Sequence, residues 1–185
     1  MAFKKRKEKI RVEFLPGHVI HDRYTIIEKI AMGRSCNVYK ACCVRTQRMI
    51  AMKVICKKNE EAYWQYGMEI EALRTLRHRN IVTLVDVIDD DVCVYICLQY
   101  CDGGTLYQFV VSRGERLPED EVRVYFIQIL SAIHYAHTHG WIHRDIKLDN
   151  ILFTSKNSKT IVLCDWGFSS TYHHTRRQSR NCGTI

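Results

Sequence analysis

The stretch "IHRDIKLDNILF", Ile142 to Phe153, decides how the rest of the chain reads. His143, Arg144, Asp145, Lys147, Asp149 and Asn150 are crowded between Ile142, Ile146, Leu148, Ile151, Leu152 and Phe153. Burying so many polar groups costs free energy unless each is paired or put to chemical use. A strand and loop carrying only solvated surface charges leaves unexplained why acids and bases interrupt an apolar run.

Upstream of that stretch the chain alternates. "YTIIEKI", "NVYKACCV" and "RMIAMKVICK" read as three short strands. In "NEEAYWQYGMEIEALRTLRH" the residues Tyr66, Ile70, Leu73 and Leu76 recur at helical spacing. "NIVTLVDVI" and "VCVYICLQY" are two more strands around the polar turn "DDD". The glycines of "CDGGTL" break the pattern, and two helices follow, "TLYQFVVSRG" and "PEDEVRVYFIQILSAIHYAHTHG". The longer one opens on Pro and acidic residues, closes on Gly140, and carries apolar Val122, Tyr125, Phe126, Ile129, Leu130 and Ile133. "TIVLCDWG" reads as a further strand, and a polar, basic, Ser/Thr-rich loop runs on to Ile185. The expected fold class is α+β: a five-stranded antiparallel sheet with one main helix, then a mainly helical part.

The 185 residues are 46% hydrophobic and 26% charged, a balance suited to a soluble globular chain of one domain or two small lobes. No apolar run has the length of a membrane span, and "MAFKKRKEKIRVEF" lacks the apolar core of a signal peptide. The nine cysteines include no CxxC pair and no Cys/His cluster. They read as reduced thiols, and the expected location is intracellular, cytoplasmic or nuclear. Cys42, Cys43, Cys93, Cys97 and Cys101 read as small core residues of strands. Much of the net charge of +8 comes from "KKRKEK" and "RRQSR". Residues 1–20 read as a basic, flexible arm. Zinc-finger spacing and an aromatic-basic signature are both missing, so nucleic acid is not an expected partner.

"HRDIKLDN" fits the pattern H-R-D-x-x-x-x-N, and four further motifs follow the same order as in one family. From about Tyr24 to Ile185 the chain resembles the eukaryotic-type protein kinases of the Ser/Thr class, with a CAMK-like cast. The resemblance implies a protein kinase domain over 21–185: an N-lobe of about 21–98, a hinge over 99–104 and a partial C-lobe over 105–185. The activity it implies is ATP-dependent phosphoryl transfer to Ser/Thr hydroxyls of protein substrates, with ATP and Mg²⁺ as cofactors. Asp145 then looks like the base that takes the substrate hydroxyl's proton, and Lys147 the cation that meets the γ-phosphate. Asn150 and the Asp165 of "CDWG" would hold the metal. Trp166 stands where the family has Phe; it keeps the apolar face but brings an N–H that needs a partner. "IAMKVI" matches V-A-I-K and puts Lys53 on a strand, where it would pair with phosphates and with a helix Glu, for which Glu69 is the better fit than Glu71.

The same resemblance assigns an ATP site. Ile30, Ala31 and Gly33 belong to the phosphate loop, of whose glycines only Gly33 survives: Ala31 and Cys36 stand where the family has Gly, and Ser35 where it has an aromatic. Val38 and Ala51 would cover one face of the purine and Leu152 the other. Leu98 is the gatekeeper, and backbone groups of Gln99 and Cys101 would bond the adenine edge. His143, Leu73, Leu84 and Trp166 would stack into one apolar column. Arg144 would pair with a phosphate placed on Thr175 or Ser179 by an upstream activating kinase, since Arg180 stands where related kinases often have Thr. The chain stops at "NCGTI", inside the family's activation segment, so the domain is expected to be incomplete. The alternative reading, suggested by the altered glycine loop and that ending, is a weak or inactive kinase-like ATP-binding scaffold, or a gene fragment.

Overall fold

The computed structural model describes residues 12–33, 36–58, 60–114 and 116–171. They divide into two compact units, one formed by the residues up to Trp64 with Asp86–Cys97, the other by Gln65–Val85 and the chain from Leu98 onward.

In the first unit the alternating segments become strands β1 (Val19–Ile20), β2 (Tyr24–Met32), β3 (Asn37–Cys43) and β4 (Met49–Cys56). In chain order helix α1 (Glu60–Thr75) follows, its part from Gln65 assigned to the second unit, then β5 (Leu84–Asp89) and β6 (Cys93–Gln99), whose residues Asp86–Cys97 belong to the first; the sheet order is β1-β2-β3-β4-β6-β5. Registers Tyr39↔Met52 and Ala41↔Ile50 put those four side chains on one face. With Tyr24, Ile26, Val54, Tyr95 and Cys97 they form the buried core. The other face carries the opposed row Ala31↔Val38↔Lys53, with Ala51 two residues before Lys53.

The sheet has six strands rather than five. The extra strand lies inside the segment read as a flexible arm. Val19 and Ile20 pair with Thr25 and Tyr24. Val12 and Phe14 pack against the core, the Phe14 N–H donates to Tyr39 Oη at 3.1 Å, and Asn37 Nδ2 donates to the Val12 carbonyl at 3.0 Å. A buried tyrosine hydroxyl and a buried amide thus receive main-chain partners from this segment. Two residues are too few to show a strand period, so β1 left no trace in the pattern. Residues 1–11 of the expected arm lie outside the described residues.

The second unit holds α2 (Leu106–Ser112), α3 (Glu119–Thr138), β7 (Trp141–Ile142), β8 (Ile151–Phe153), β9 (Ile161–Leu163) and β10 (Ser170–Thr171), with β7 paired to β10 and β8 to β9. A capping box starts α2: Thr105 Oγ1 accepts from Gln108 N–H while Gln108 Oε1 accepts from Thr105 N–H. Three acidic residues in the first turn of α3 complement its dipole, and Gly140 at φ 79° ends it in the left-handed conformation that helix ends favour. Phe109, Tyr125 and Phe153 meet edge to face at centroid separations of 5.2 to 6.0 Å, tying α2, α3 and β8 together. The apolar residues of α3 divide. Tyr125 is buried, while Val122, Phe126 and Leu130 are exposed, Phe126 at 56%. Val122 and Phe126 border an apolar groove of about 270 Å³ that also contacts Leu106, Val110 and Leu148. The strand expected over 160–167 ends at Leu163, because Asp165 takes φ 61° and the chain turns into one 3-10 turn over Trp166–Phe168.

The two glycines of "CDGG" have different reasons. Gly104 sits at φ 80°, where a side chain is strained. A Cβ on Gly103 would lie 2.5 Å from Phe153 Cβ and 2.6 Å from the Ser155 carbonyl oxygen. Gly103→Ala should therefore lower stability by about 1–3 kcal/mol through overpacking against β8. Urea unfolding measures it, and an unchanged midpoint would show that β8 can give way.

Candidate active site

The charged residues of the opening stretch converge in the second unit. Asp145 is 4% exposed. Asn150 Nδ2 donates to its backbone oxygen at 2.8 Å and to its Oδ2 at 2.9 Å, and Lys147 Nζ reaches the same Oδ2 at 3.0 Å. An amide and an ammonium thus orient one buried carboxylate oxygen by charge-assisted hydrogen bonds. Since the Asn150 NH₂ is engaged with Asp145, its carbonyl oxygen is the atom left to meet a cation.

Asp165 is tied to this loop through its neighbour. Cys164 N–H donates to the Asn150 carbonyl at 2.9 Å, and Cys164 O accepts from His143 Nε2 at 2.9 Å. The Asp145 N–H donates to His143 Nδ1, so the neutral ring carries its proton on Nε2. Arg144 and Asp165 both adopt left-handed backbone, at φ 67° and 61°. Such strain persists only where surrounding bonds over-determine it. Arg144 supplies two: Nε donates to the Phe168 carbonyl at 2.7 Å and Nη2 to that of Ser169 at 3.3 Å. The guanidinium expected to meet a loop phosphate thus serves the backbone after the Trp166 turn. Thr175, Ser179 and Arg180 lie outside the described residues.

Trp166 is fully buried, its Nε1–H finds the Leu163 carbonyl at 3.3 Å, and its ring meets His143 edge to face at 4.6 Å. The larger aromatic is therefore accommodated with its polar atom partnered. Of the expected apolar column, this His143–Trp166 contact is present, Leu73 is buried and Leu84 half-buried. Glu69 is buried on the part of α1 that belongs to this unit. Leu98 is buried, and Gln99, Cys101 and Leu152 are half-buried, with Leu152 bridged to Thr105. The Gln99 N–H is taken by the Thr83 carbonyl at 2.9 Å, so only its own carbonyl can serve a base edge.

In the first unit Ala31, Val38, Ala51 and Lys53 share the sheet face opposite the core. Ile30 is exposed, and Gly33 closes the β2–β3 turn through its N–H to the Cys36 carbonyl at 2.9 Å. Arg34 and Ser35 lie outside the described residues. Among the described residues no group of three or more His, Cys, Asp or Glu could hold a metal, and no helix is long and apolar enough to cross a membrane. One carboxylate and one amide oxygen, Asp165 and Asn150, nonetheless suit Mg²⁺, which takes hard oxygen donors, few of them from protein when phosphates supply the rest.

Sequence reasoning missed the support of this site. Asn80 is buried, and its Nδ2 donates to the Ile161 carbonyl at 2.7 Å and to Gln128 Oε1 at 2.9 Å. Gln128 in turn accepts from Ile161 N–H and donates to the Lys159 carbonyl. These bonds fix β9, which leads into Asp165. In "LRHRNIV" Asn80 looks like an ordinary turn residue, and only its tertiary partners distinguish it. Ser169 and Ser170 were passed over too; both hydroxyls are buried with no hydrogen-bond partner.

The protein kinase domain family matches residues 24–185 of the chain. The chain is 34% identical over 170 residues to the rat protein "NUAK family SNF1-like kinase 2", covering 90% of this chain and 26% of the relative. It is 33% identical to the human "NUAK family SNF1-like kinase 1", again over 90% of this chain but 25% of that relative. It is 32% identical over 164 residues to the rat "SNF-related serine/threonine-protein kinase", covering 88% of this chain and 22% of the relative. The chain thus spans about a quarter of the length of the curated relatives it matches.

Burial holds the His143 imidazole below its usual pKa, against the opposing pull of the Cys164 carbonyl, Asp165 and Asp145. The unfolded chain therefore binds a proton that the folded chain resists. Stability from the neutral ring is present above the unfolded value of about 6.5 and lost as pH falls below it. His78, also lowered by burial, acts in the same direction. Between pH 7 and 5 the unfolding free energy should fall, and His143→Phe should flatten part of that slope. An identical slope in the variant, read by urea unfolding across pH, would refute the assignment.

Proposed function

The chain belongs to the protein kinase domain family, and from that membership we propose that it binds ATP with Mg²⁺ and transfers the γ-phosphoryl group to Ser/Thr hydroxyls of protein substrates. The observation that carries the proposal is the buried Asp145 carboxylate, oriented by Asn150 and Lys147. A carboxylate fixed in this way can take the proton of an approaching hydroxyl and align its oxygen for in-line attack. Lys147, whose ammonium meets that carboxylate at 3.0 Å, is assigned the γ-phosphoryl contact. Asn150 Oδ1 and the Asp165 carboxylate are the groups offered to Mg²⁺, which when bound neutralises charge on the phosphates. Lys53 lies on the sheet face with Val38 and Ala51, two apolar side chains to cover a purine and one cation for phosphates, and Ala31 of the phosphate loop pairs with Val38 on the same face. Glu69 is assigned as its acidic counterpart, and Leu98, Gln99, Cys101 and Leu152 as the rest of the adenine contacts, with Ile30 and Gly33 over the phosphates.

Preference for Ser/Thr over Tyr rests on Lys147, two residues after Asp145, and is supported by the name of one relative, "SNF-related serine/threonine-protein kinase". An upstream kinase acting on Thr175 or Ser179 belongs to the same proposal. So does an intracellular location, cytoplasmic or nuclear, which the free thiols of the eight described cysteines support.

Mg-ATP should raise the Tm of the protein by mass action. Asp165→Asn should weaken Mg-ATP binding by at least roughly tenfold, by removing a charge from the metal's surroundings. Asp145→Asn should leave nucleotide binding intact and lower phosphorylation of a Ser/Thr peptide by roughly 10²–10⁴-fold. A flat thermal-shift titration up to millimolar Mg-ATP would overturn the proposal in favour of a nucleotide-free scaffold.

A further inference from the structure

We propose that Cys56 and Cys93 are a modification site, joined on oxidation by a reversible disulfide between strands β4 and β6. The two strands are neighbours in the sheet. Lys57, one residue past the end of β4, donates its N–H to the carbonyl of Val92, one residue before the start of β6, at 2.9 Å. The end of one strand therefore lies beside the start of the other, and the pair runs antiparallel with Cys56 directly opposite Cys93. The backbone groups of Cys93 face away from β4: its N–H donates to Asp90 Oδ1 at 2.7 Å and its carbonyl accepts from Asp90 N–H at 3.0 Å. Cys56 and Cys93 thus form a non-hydrogen-bonded pair, the kind in which Cα atoms approach to about 4.5 Å and side chains stand closest. Disulfides accept Cα separations of about 4.4–6.8 Å, so this pair lies at the short end of the permitted range.

Both thiols are free and buried, Cys56 at 4% exposure and Cys93 at 1%. The same register places Val54 opposite Tyr95 and Met52 opposite Cys97. Alternation along β4 puts Cys56 on the same side of the strand as Val54, which lies in the core with Cys93, and Cys56 is close enough to Cys93 to act on its thiol. Cys42 and Cys43 are adjacent on one strand, and the register sets Cys97 opposite Met52. Burial, the Cys56 sulfur and the Asp90 carboxylate push the Cys93 thiol up to about 11, against Tyr95 and Lys57. That disfavours direct attack by Cys93 and casts it as the second thiol to react.

The reaction is exchange with a small disulfide. One protein thiolate attacks the oxidant's S–S bond and releases one of its thiols. The second then attacks the mixed disulfide and releases the other. Two protein thiols lose two electrons and two protons, and one oxidant disulfide becomes two thiols. The bond closes a loop containing the whole of α1 and β5. It also pins the end of the strand that carries Lys53. Thiol–disulfide exchange runs in both directions, so a reducing glutathione pool reopens the bond.

Glutathione buffers graded from reduced to oxidised, followed by proteolysis and mass spectrometry without reduction, provide the test. The expected product is a single intramolecular link between the Cys56 and Cys93 peptides, lighter by two hydrogens, with a raised Tm, reversed by dithiothreitol. Cys56→Ser and Cys93→Ser should each abolish it. Cys97→Ser should keep it, which guards against a variant that fails to fold. Glutathione on each cysteine separately, a link from either to a third cysteine, or no link at any ratio would overturn the proposal.

Discussion

A carboxylate removed from water must be given partners, and the second unit is organised around doing this for Asp145. Losing hydration costs an ionised carboxyl several kcal/mol, which only well-aligned hydrogen bonds and a cation offset. Asn150 supplies two bonds and Lys147 a charge. Each supporter is then held by the next. Asn150 is fixed through the Cys164 N–H, Cys164 through His143, and His143 through the Asp145 main chain. The closed circuit brings the Asp165 segment to the loop through Cys164.

The first unit solves a different problem. A sheet two faces thick must bury one and can leave the other for work. Tyr39, Met52 and Val54 fill the buried face, and the pleat then forces Val38, Ala51 and Lys53 onto the other. Their proximity in register is a consequence of alternation. Salt bridges Arg23–Asp86 and Lys57–Asp89 and the His21–Asp90 bond lie at the margins of this sheet. Exposed pairs of this kind contribute little individually.

The candidate site was legible because its residues break an apolar pattern, and a polar interruption of a buried run demands a reason. The α+β class and the five main strands were legible from period and punctuation. What was not legible depends on partners far apart in the chain. Asn80 is indistinguishable from a turn residue until Gln128 and Ile161 are placed beside it. Val12 and Phe14 sit in a basic lead-in, and only the Tyr39 hydroxyl and Asn37 amide show why they dock. The helical period of α3 told which residues are apolar but not which are covered: Tyr125 is buried and Phe126 is not. Arg144 was assigned from the family resemblance, whereas its left-handed backbone and two carbonyl partners give it a mechanical task that no sequence pattern shows.

The partnerless hydroxyls of Ser169 and Ser170 carry a consequence for motion. Neither has a hydrogen-bond partner among the described residues, and a buried hydroxyl left so costs about 1–3 kcal/mol. Opening this short stretch would hydrate both and recover that free energy, while breaking chiefly the two-residue β7–β10 pairing and the Arg144 bonds. Strands β8 and β9, whose backbone is further tied by Asn80 and Gln128, gain nothing comparable on opening. Local unfolding free energy therefore rises steeply from Ser170 back to Leu163, and amide exchange along those few residues should slow in the same order.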